Sequence, residues 1–158
     1  MLEHQCVLGS AQGTEMWADI AGYEGRYQVS SEGRIKSLGR YRKTKGEGRT
    51  WMPERIMRVT IKKDTGRIKP YAEVRLRDGS PRTERCKAFL VHRLVANAFI
   101  KPLEKGEQVD HRNGCHSDNR VENLRVMHYI EHGRAHPLIA NGSLSKIGTA
   151  AIQRRCQI

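Results

Sequence analysis

Asp110 and His111 stand side by side in V-D-H-R-N-G, residues 109–114, and adjacency gives them separate duties. In an extended strand, neighbouring side chains point to opposite faces. The carboxylate can therefore hold a divalent cation while the imidazole beside it takes a proton from water. Taken alone, an Asp-His pair next to a turn is common in solvated loops, so the surrounding elements must decide.

Those elements are legible locally. The strand should end at Arg112-Asn113-Gly114, because Asn-Gly favours a tight reversal. A polar loop follows from Cys115 to Glu122, and Leu124-Arg125-Val126-Met127, apolar at alternate positions, reads as the second strand of a small hairpin. Glu131 suits the first turn of a helix, where a carboxylate meets free N–H groups. His132 would lie inside that helix. Asn113, Asn119 and Asn123 could each be simple turn formers.

The order His111, Asn123, His132 in a hairpin-helix setting, with the loop N-G-x-x-S-D-N-R-V-E-N-L, resembles the HNH endonuclease family and its phage and intron-borne homing members. That resemblance implies a ββα-metal core. It makes His111 the general base, gives Asn123 the task of holding the base and loop in place, and assigns the catalytic metal to Asp110 and His132. Many relatives carry Asn where this chain has His132, so the ligand type differs while the position fits. His128 stands where a Ser or Thr helix cap is usual. His136 lies on the same helical face as His132 and is a possible additional ligand, although Pro137 disfavours helical geometry there.

Charge supplies the second argument. The chain of 158 residues has a formal net charge of +12, and 18 Lys or Arg against six Asp or Glu fall between Arg34 and Lys87. The remainder holds 11 of each sign. So large a one-sided excess upstream of the candidate site points to a polyanion partner gripped by one segment and acted on by another. With 37% apolar but only 6% aromatic residues, modest separate cores are expected rather than one large one. The four cysteines form no C-x-x-C pair, which indicates neither a disulfide framework nor a zinc knuckle. No apolar run approaches the length of a membrane span, and no signal peptide is recognisable.

Upstream, Trp17 to Leu38 reads W-A-D-I-A-G-Y-E-G-R-Y-Q-V-S-S-E-G-R-I-K-S-L. Tyr27-Gln28-Val29 and Arg34-Ile35-Lys36 flank a turn closed by Gly33, with Trp17, Ile20, Tyr23, Val29, Ile35 and Leu38 as its core. The pattern resembles the nuclease-associated modular domain that precedes HNH cores, which implies a DNA-docking role. Gly39 to Met52 reads as a mobile basic connection. Strands are expected at Ile56–Ile61, Tyr71–Leu76 and Thr83–Phe89, with a turn at Asp78-Gly79. Val91, Leu94, Val95, Ala98 and Phe99 recur at helical spacing. His92 in that helix is expected to hydrogen-bond structurally rather than bind metal. A further short helix fits Ser143 to Ile152.

These readings predict an α+β fold: a small N-terminal antiparallel β-sheet domain followed by a ββα-metal (HNH) nuclease core, elongated. Residues 1–15 form a flexible leader, with Met16 as an alternative start, 16–90 a basic β-rich DNA-binding region, 91–137 the helix plus nuclease core, and 138–158 a short C-terminal extension. DNA contacts are expected from Arg26, Arg34, Lys36, Arg40, Arg42, Lys43, Arg75 and Arg77. The resemblance implies a metal-dependent endonuclease that hydrolyses phosphodiester bonds in double-stranded DNA. It would be a nicking homing-type enzyme, monomeric, encoded by a phage or mobile element and acting in the host cytoplasm. A mixed oxygen and nitrogen ligand set accommodates Mg, Mn, Ni or Zn. The competing expectation is a non-catalytic DNA-binding regulator on the same scaffold, which would bind without metal and never cut. An RNA-binding module is disfavoured because no aromatic stacking platform is visible in the sequence.

Overall fold

The computed structural model describes residues 14–44, 46–61, 70–79 and 86–131. His132, His136, the leader up to residue 13, the 138–158 extension and the helix expected at Ser143 to Ile152 lie outside the described residues.

Short antiparallel strands dominate. β1 (Trp17–Asp19), β2 (Tyr27–Ser30), β3 (Ile35–Ser37) and β6 (Arg55–Ile56) form a four-stranded sheet in the order β1-β2-β3-β6. β4 (Arg40–Lys43) and β5 (Arg49–Met52) form a separate ribbon. β7 (Thr60–Ile61), β8 (Ala72–Arg77) and β9 (Cys86–Leu90) make a third sheet. β9 runs directly into helix α1 (Val91–Phe99), and β10 (Glu107–His111) then pairs with β11 (Leu124–His128). The α+β class follows from these elements. Among the described residues no helix is long and apolar enough to cross a membrane.

Period-two burial explains the sheets. In β8, Ala72, Val74 and Leu76 are buried while Arg75 and Arg77 point outward. In the first sheet Ile20, Tyr23, Val29 and Ile35 are buried, whereas Trp17 and Leu38 are only half-buried. Gly33 closes the β2–β3 turn with φ 80°, a left-handed conformation that glycine adopts without a Cβ penalty.

The apolar residues form one cluster rather than separate modest cores. Tyr27, Val29 and Ile35 from the first sheet join Val74 and Leu76 of β8, Val91 and Val95 of α1, and Leu124 of β11. The helix is central to this packing: α1 contacts β1 and β2, β8 and β9, and β10 and β11. Each such aliphatic side chain, fully buried, contributes roughly 1.5–3 kcal/mol.

Two expectations change. Gly39 to Met52, expected as a connection, holds the β4–β5 ribbon, in which Tyr41 pairs with Trp51 across the strands. Its strands are exposed apart from the half-buried ends Arg40 and Met52, so no apolar alternation announced it. The strand expected at Ile56–Ile61 splits in two, because Ile56 pairs with β3 of the first sheet and Thr60 with β8 of the third. Met57 and Val59, half-buried, make the crossing between sheets.

Candidate active site

β10 delivers Asp110 and His111 to the end of a strand, both buried, at 7% and 5% exposure. The cross-strand register sets Asp110 opposite Arg125 and His111 opposite Leu124. Arg125 uses that register: its Nε and Nη2 donate to Asp110 Oδ2 over 2.8 and 2.7 Å. A buried carboxylate needs such a partner, because desolvation of an isolated charge is costly.

The loop between the strands is held by its own amides. Asn123, in a 3-10 turn at Val121–Asn123, accepts the Asn113 N–H at Oδ1 over 3.0 Å and donates from Nδ2 to the Asp118 carbonyl over 2.8 Å. Arg112 N–H reaches the Asn123 carbonyl over 2.8 Å. Asp118 also accepts from Asn113 Nδ2 and pairs with Arg120, whose hydrogen bonds hold its carboxyl below the usual carboxylate range. Cys115, expected to lie outside any disulfide framework, is disulfide-bonded.

The amide beside the imidazole is Asn119 rather than Asn123. Its Oδ1 lies 3.3 Å from His111 Nε2, and its Nδ2 donates to the Ser117 carbonyl over 3.1 Å. Around His111 gather three further rings, Tyr71 at 6.2 Å between centroids, His92 at 5.3 Å and His116 at 5.5 Å. Burial pushes the His111 imidazole below the ordinary histidine value, against the hydrogen bond to Asn119 Oδ1 and the nearby carboxylates of Asp110 and Asp118. Burial thus favours the neutral ring, the form that proton acceptance requires. His92 is driven further, to about 3, by burial first and then by His111, Arg93 and His116. Its Nδ1 is buried without a hydrogen-bond partner, so the structural hydrogen bond expected of it is absent at that atom. The Tyr71 phenol is raised by burial and by Asp110, and stays protonated.

Sequence reasoning did not gather this shell. Tyr71 precedes β8 and His92 opens α1, far from His111 along the chain, so only the fold unites them. Arg125 was accessible, since pairing the two predicted strands in register sets it opposite Asp110. Among the described residues no group of three His, Cys, Asp or Glu side chains makes a metal cage. A buried carboxylate beside an imidazole is nonetheless the donor chemistry that divalent cations accept.

Comparison with known proteins bears on this geometry. Residues 15–77 match the NUMOD4 motif, and residues 89–134 match the HNH endonuclease family. Residues 89–134 thus carry an HNH endonuclease domain, with a NUMOD4 motif ahead of it. The chain is 37% identical over 109 residues to the DNA endonuclease I-HmuI of Bacillus phage SP01, which covers 69% of this chain. The chain spans about half the length of that relative, 50%. A solved structure of DNA binding and cleavage by the HNH homing endonuclease I-HmuI superposes with a TM-score of 0.59 at 29% identity, covering 89% of this chain and 68% of the other.

Within the NUMOD4 motif the eight expected DNA-contacting cations divide. Arg40 is committed internally: Nη1 donates to the Arg26 and Leu38 carbonyls and to Ser37 Oγ, and Nη2 to the Tyr27 hydroxyl, with the guanidinium 5.1 Å from the Tyr27 ring. Arg26 is half-buried against Gly79, where its guanidinium fills the space a Cβ would need, and its Nε has no hydrogen-bond partner. Arg34 pairs with Glu15 and Lys36 with Glu54 at 3.4 Å, and both lie over the Trp17 ring. Arg42, Lys43, Arg75 and Arg77 are exposed. Across the β4–β5 ribbon, opposite each other in register, Tyr41 and Trp51 form a surface aromatic pair, 67% and 53% exposed with centroids 5.0 Å apart. The two rings meet edge to face, 62° apart, only when the ribbon closes.

Proposed function

We propose that this protein is a metal-dependent endonuclease that hydrolyses phosphodiester bonds in double-stranded DNA. The observation that carries the reading is His111: a buried imidazole at a strand end, next to the Asp110 carboxylate and beside a loop clamped by Asn123. His111 takes a proton from water, and Asn123 keeps the loop from yielding around it. Asp110 and His132 would hold the divalent ion, with His136 as an additional ligand, and Mg, Mn, Ni or Zn would each suit that mixed set. Such an ion, when bound, supplies a Lewis acid that offsets charge on the phosphate and the leaving 3′ oxygen.

The substrate reaches the site through the basic β-rich region, residues 16–90, which holds most of the NUMOD4 motif, ahead of the core at 91–137. Arg42, Lys43, Arg75 and Arg77, supported by Arg34 and Lys36, are the phosphate contacts of this reading, and the β4–β5 ribbon has the two-stranded form that a major groove admits. One site in a monomer cuts once, so a nick is the expected product. A phage or mobile-element protein of this kind would act in the host cell.

Supercoiled plasmid and phage genomic DNA, incubated with wild type and His111→Ala in Mg, Mn, Ni or Zn, test the reading. Nicked circles from wild type alone, abolished by a chelator, are expected. Equal relaxation by both proteins would remove His111 from the chemistry. Tight binding without cleavage in every ion would favour the regulatory alternative.

A further inference from the structure

The Asn119 amide is fixed in direction. Its nitrogen faces the Ser117 carbonyl at 3.1 Å, and a carbonyl can only accept, so the oxygen must be the atom turned to His111 Nε2 at 3.3 Å. An amide oxygen can only accept in its turn, so the proton of a neutral His111 ring belongs on Nε2. Among the described residues His111 Nδ1 makes no hydrogen bond.

Asn119 cannot easily turn away. It is buried at 6% exposure, and the β2–β3 turn of the NUMOD4 motif stands against it. A Cβ on Gly33 would come within 2.8 Å of Asn119 Cβ and 3.1 Å of its carbonyl oxygen. The adjoining loop is tied to the same turn by Val121 N–H donating to the Ser31 carbonyl over 2.8 Å.

We propose that Asn119, braced by the Gly33 turn, is a positioning residue that holds His111 as the Nε2–H tautomer and so makes Nδ1 the atom that accepts the proton. The proposal rests on the reading of His111 as the base. As water attacks phosphorus, one water O–H bond breaks and its proton moves to Nδ1. The P–O3′ bond breaks, and the 3′ oxygen leaves with the electron pair and takes a proton from solvent. Nε2–H stays bonded to Asn119 Oδ1 throughout, so the imidazolium formed in the step is already oriented and its charge already partly met. Asn123 serves the loop backbone, and Asn119 serves the ring.

The tautomer can be read directly, without metal or DNA, on the full chain labelled with 15N-histidine. Two-bond 1H–15N spectra at a pH where His111 is neutral, assigned by the signals missing from His111→Gln, should show a protonated Nε2 and a bare Nδ1. Asn119→Asp keeps the acceptor and should keep that pattern. Asn119→Leu should mix the tautomers and lower kcat about 10- to 100-fold while KM stays within about twofold, as for other groups that orient a reacting ligand. A wild-type spectrum with the proton on Nδ1 overturns the proposal. So does Asn119→Leu with an unchanged spectrum and unchanged kcat. A wild type that shows Nε2–H yet cuts no DNA in any ion would instead sink the nuclease reading and leave the tautomer assignment standing.

Discussion

Ser31 and Val121 are joined by a backbone hydrogen bond of 2.8 Å, so the first hairpin turn of the chain is fastened to the loop that carries Asn119 and Asn123. Their separation in sequence is large, yet the bond makes the NUMOD4 turn part of the wall of the HNH site. The same contact sets Gly33 apart from the other turn glycines.

Gly33→Ala should separate that role from simple backbone strain. Gly33 and Gly25 both have positive φ, 80° and 67°, but a Cβ at Gly25 meets nothing within 4 Å while one at Gly33 strikes Asn119. Each substitution should cost about 1–2 kcal/mol in thermal or chemical unfolding, since L-residues disfavour this conformation. Only Gly33→Ala should also lower kcat. Equal kcat for the two variants would show that the turn does not support the site.

Arg40 and Lys43, three residues apart, should behave as different classes of cation. Arg40→Ala removes donors from the Arg26 and Leu38 carbonyls and the Tyr27 hydroxyl, and should destabilise the fold by about 2 kcal/mol. Lys43 is exposed, and Lys43→Ala should leave the melting temperature in place while reducing the salt dependence of DNA binding by about one unit of slope. Denaturant unfolding beside fluorescence anisotropy at several salt concentrations checks both. A drop in the salt slope for Arg40→Ala without loss of stability would reverse the assignment.

His92 makes the fold acid-sensitive. Its folded value is held down to about 3 against an ordinary 6.5, by burial first and then by the neighbouring His111, Arg93 and His116, with the Tyr71 ring 4.9 Å away. The unfolded chain therefore binds a proton here that the folded chain refuses. Stability from this group is complete above about 6.5 and declines as pH falls from there toward 3, by at most about 1.4 kcal/mol per pH unit. His92→Phe should flatten that part of the curve in urea titrations at stepped pH. Parallel curves for variant and wild type would refute the account.

Arg125→Met should leave the Asp110 carboxylate without the two contacts it now receives. Because the arginine side chain is 39% exposed, a loss of about 1–2 kcal/mol is expected rather than the full cost of a buried charge. Asp110→Asn in the same background should recover part of that loss, since it removes the charge that lacks a partner. A double-mutant cycle on unfolding midpoints measures the coupling, and additive effects would mean that the pair contributes nothing.

How far the sequence foretold this molecule depends on how local each feature is. Helix α1 was legible because Val91, Leu94 and Val95 bury at helical spacing, and the β10–β11 hairpin because alternation and Asn-Gly sit within one short stretch. The β4–β5 ribbon was hidden because most of its residues face solvent, which leaves no hydrophobic period to read. Asn119 was hidden differently: three asparagines in one loop look alike on paper, and only the Ser117 carbonyl and the His111 ring tell their amides apart. The surface ring pair and the shell of Tyr71, His92 and His116 likewise exist only after distant strands meet. His132 and His136 remain proposals, since they lie outside the described residues.

The shared cluster around α1, into which Val29, Ile35, Val74, Val95 and Leu124 all pack, bears on how such chains can be recombined. Two motifs that read as interchangeable beads on a string are here welded along a seam. A gene that traded its first motif for a stranger's would inherit mismatched shapes beneath the helix, so exchange should succeed only where both sides of the seam travel together.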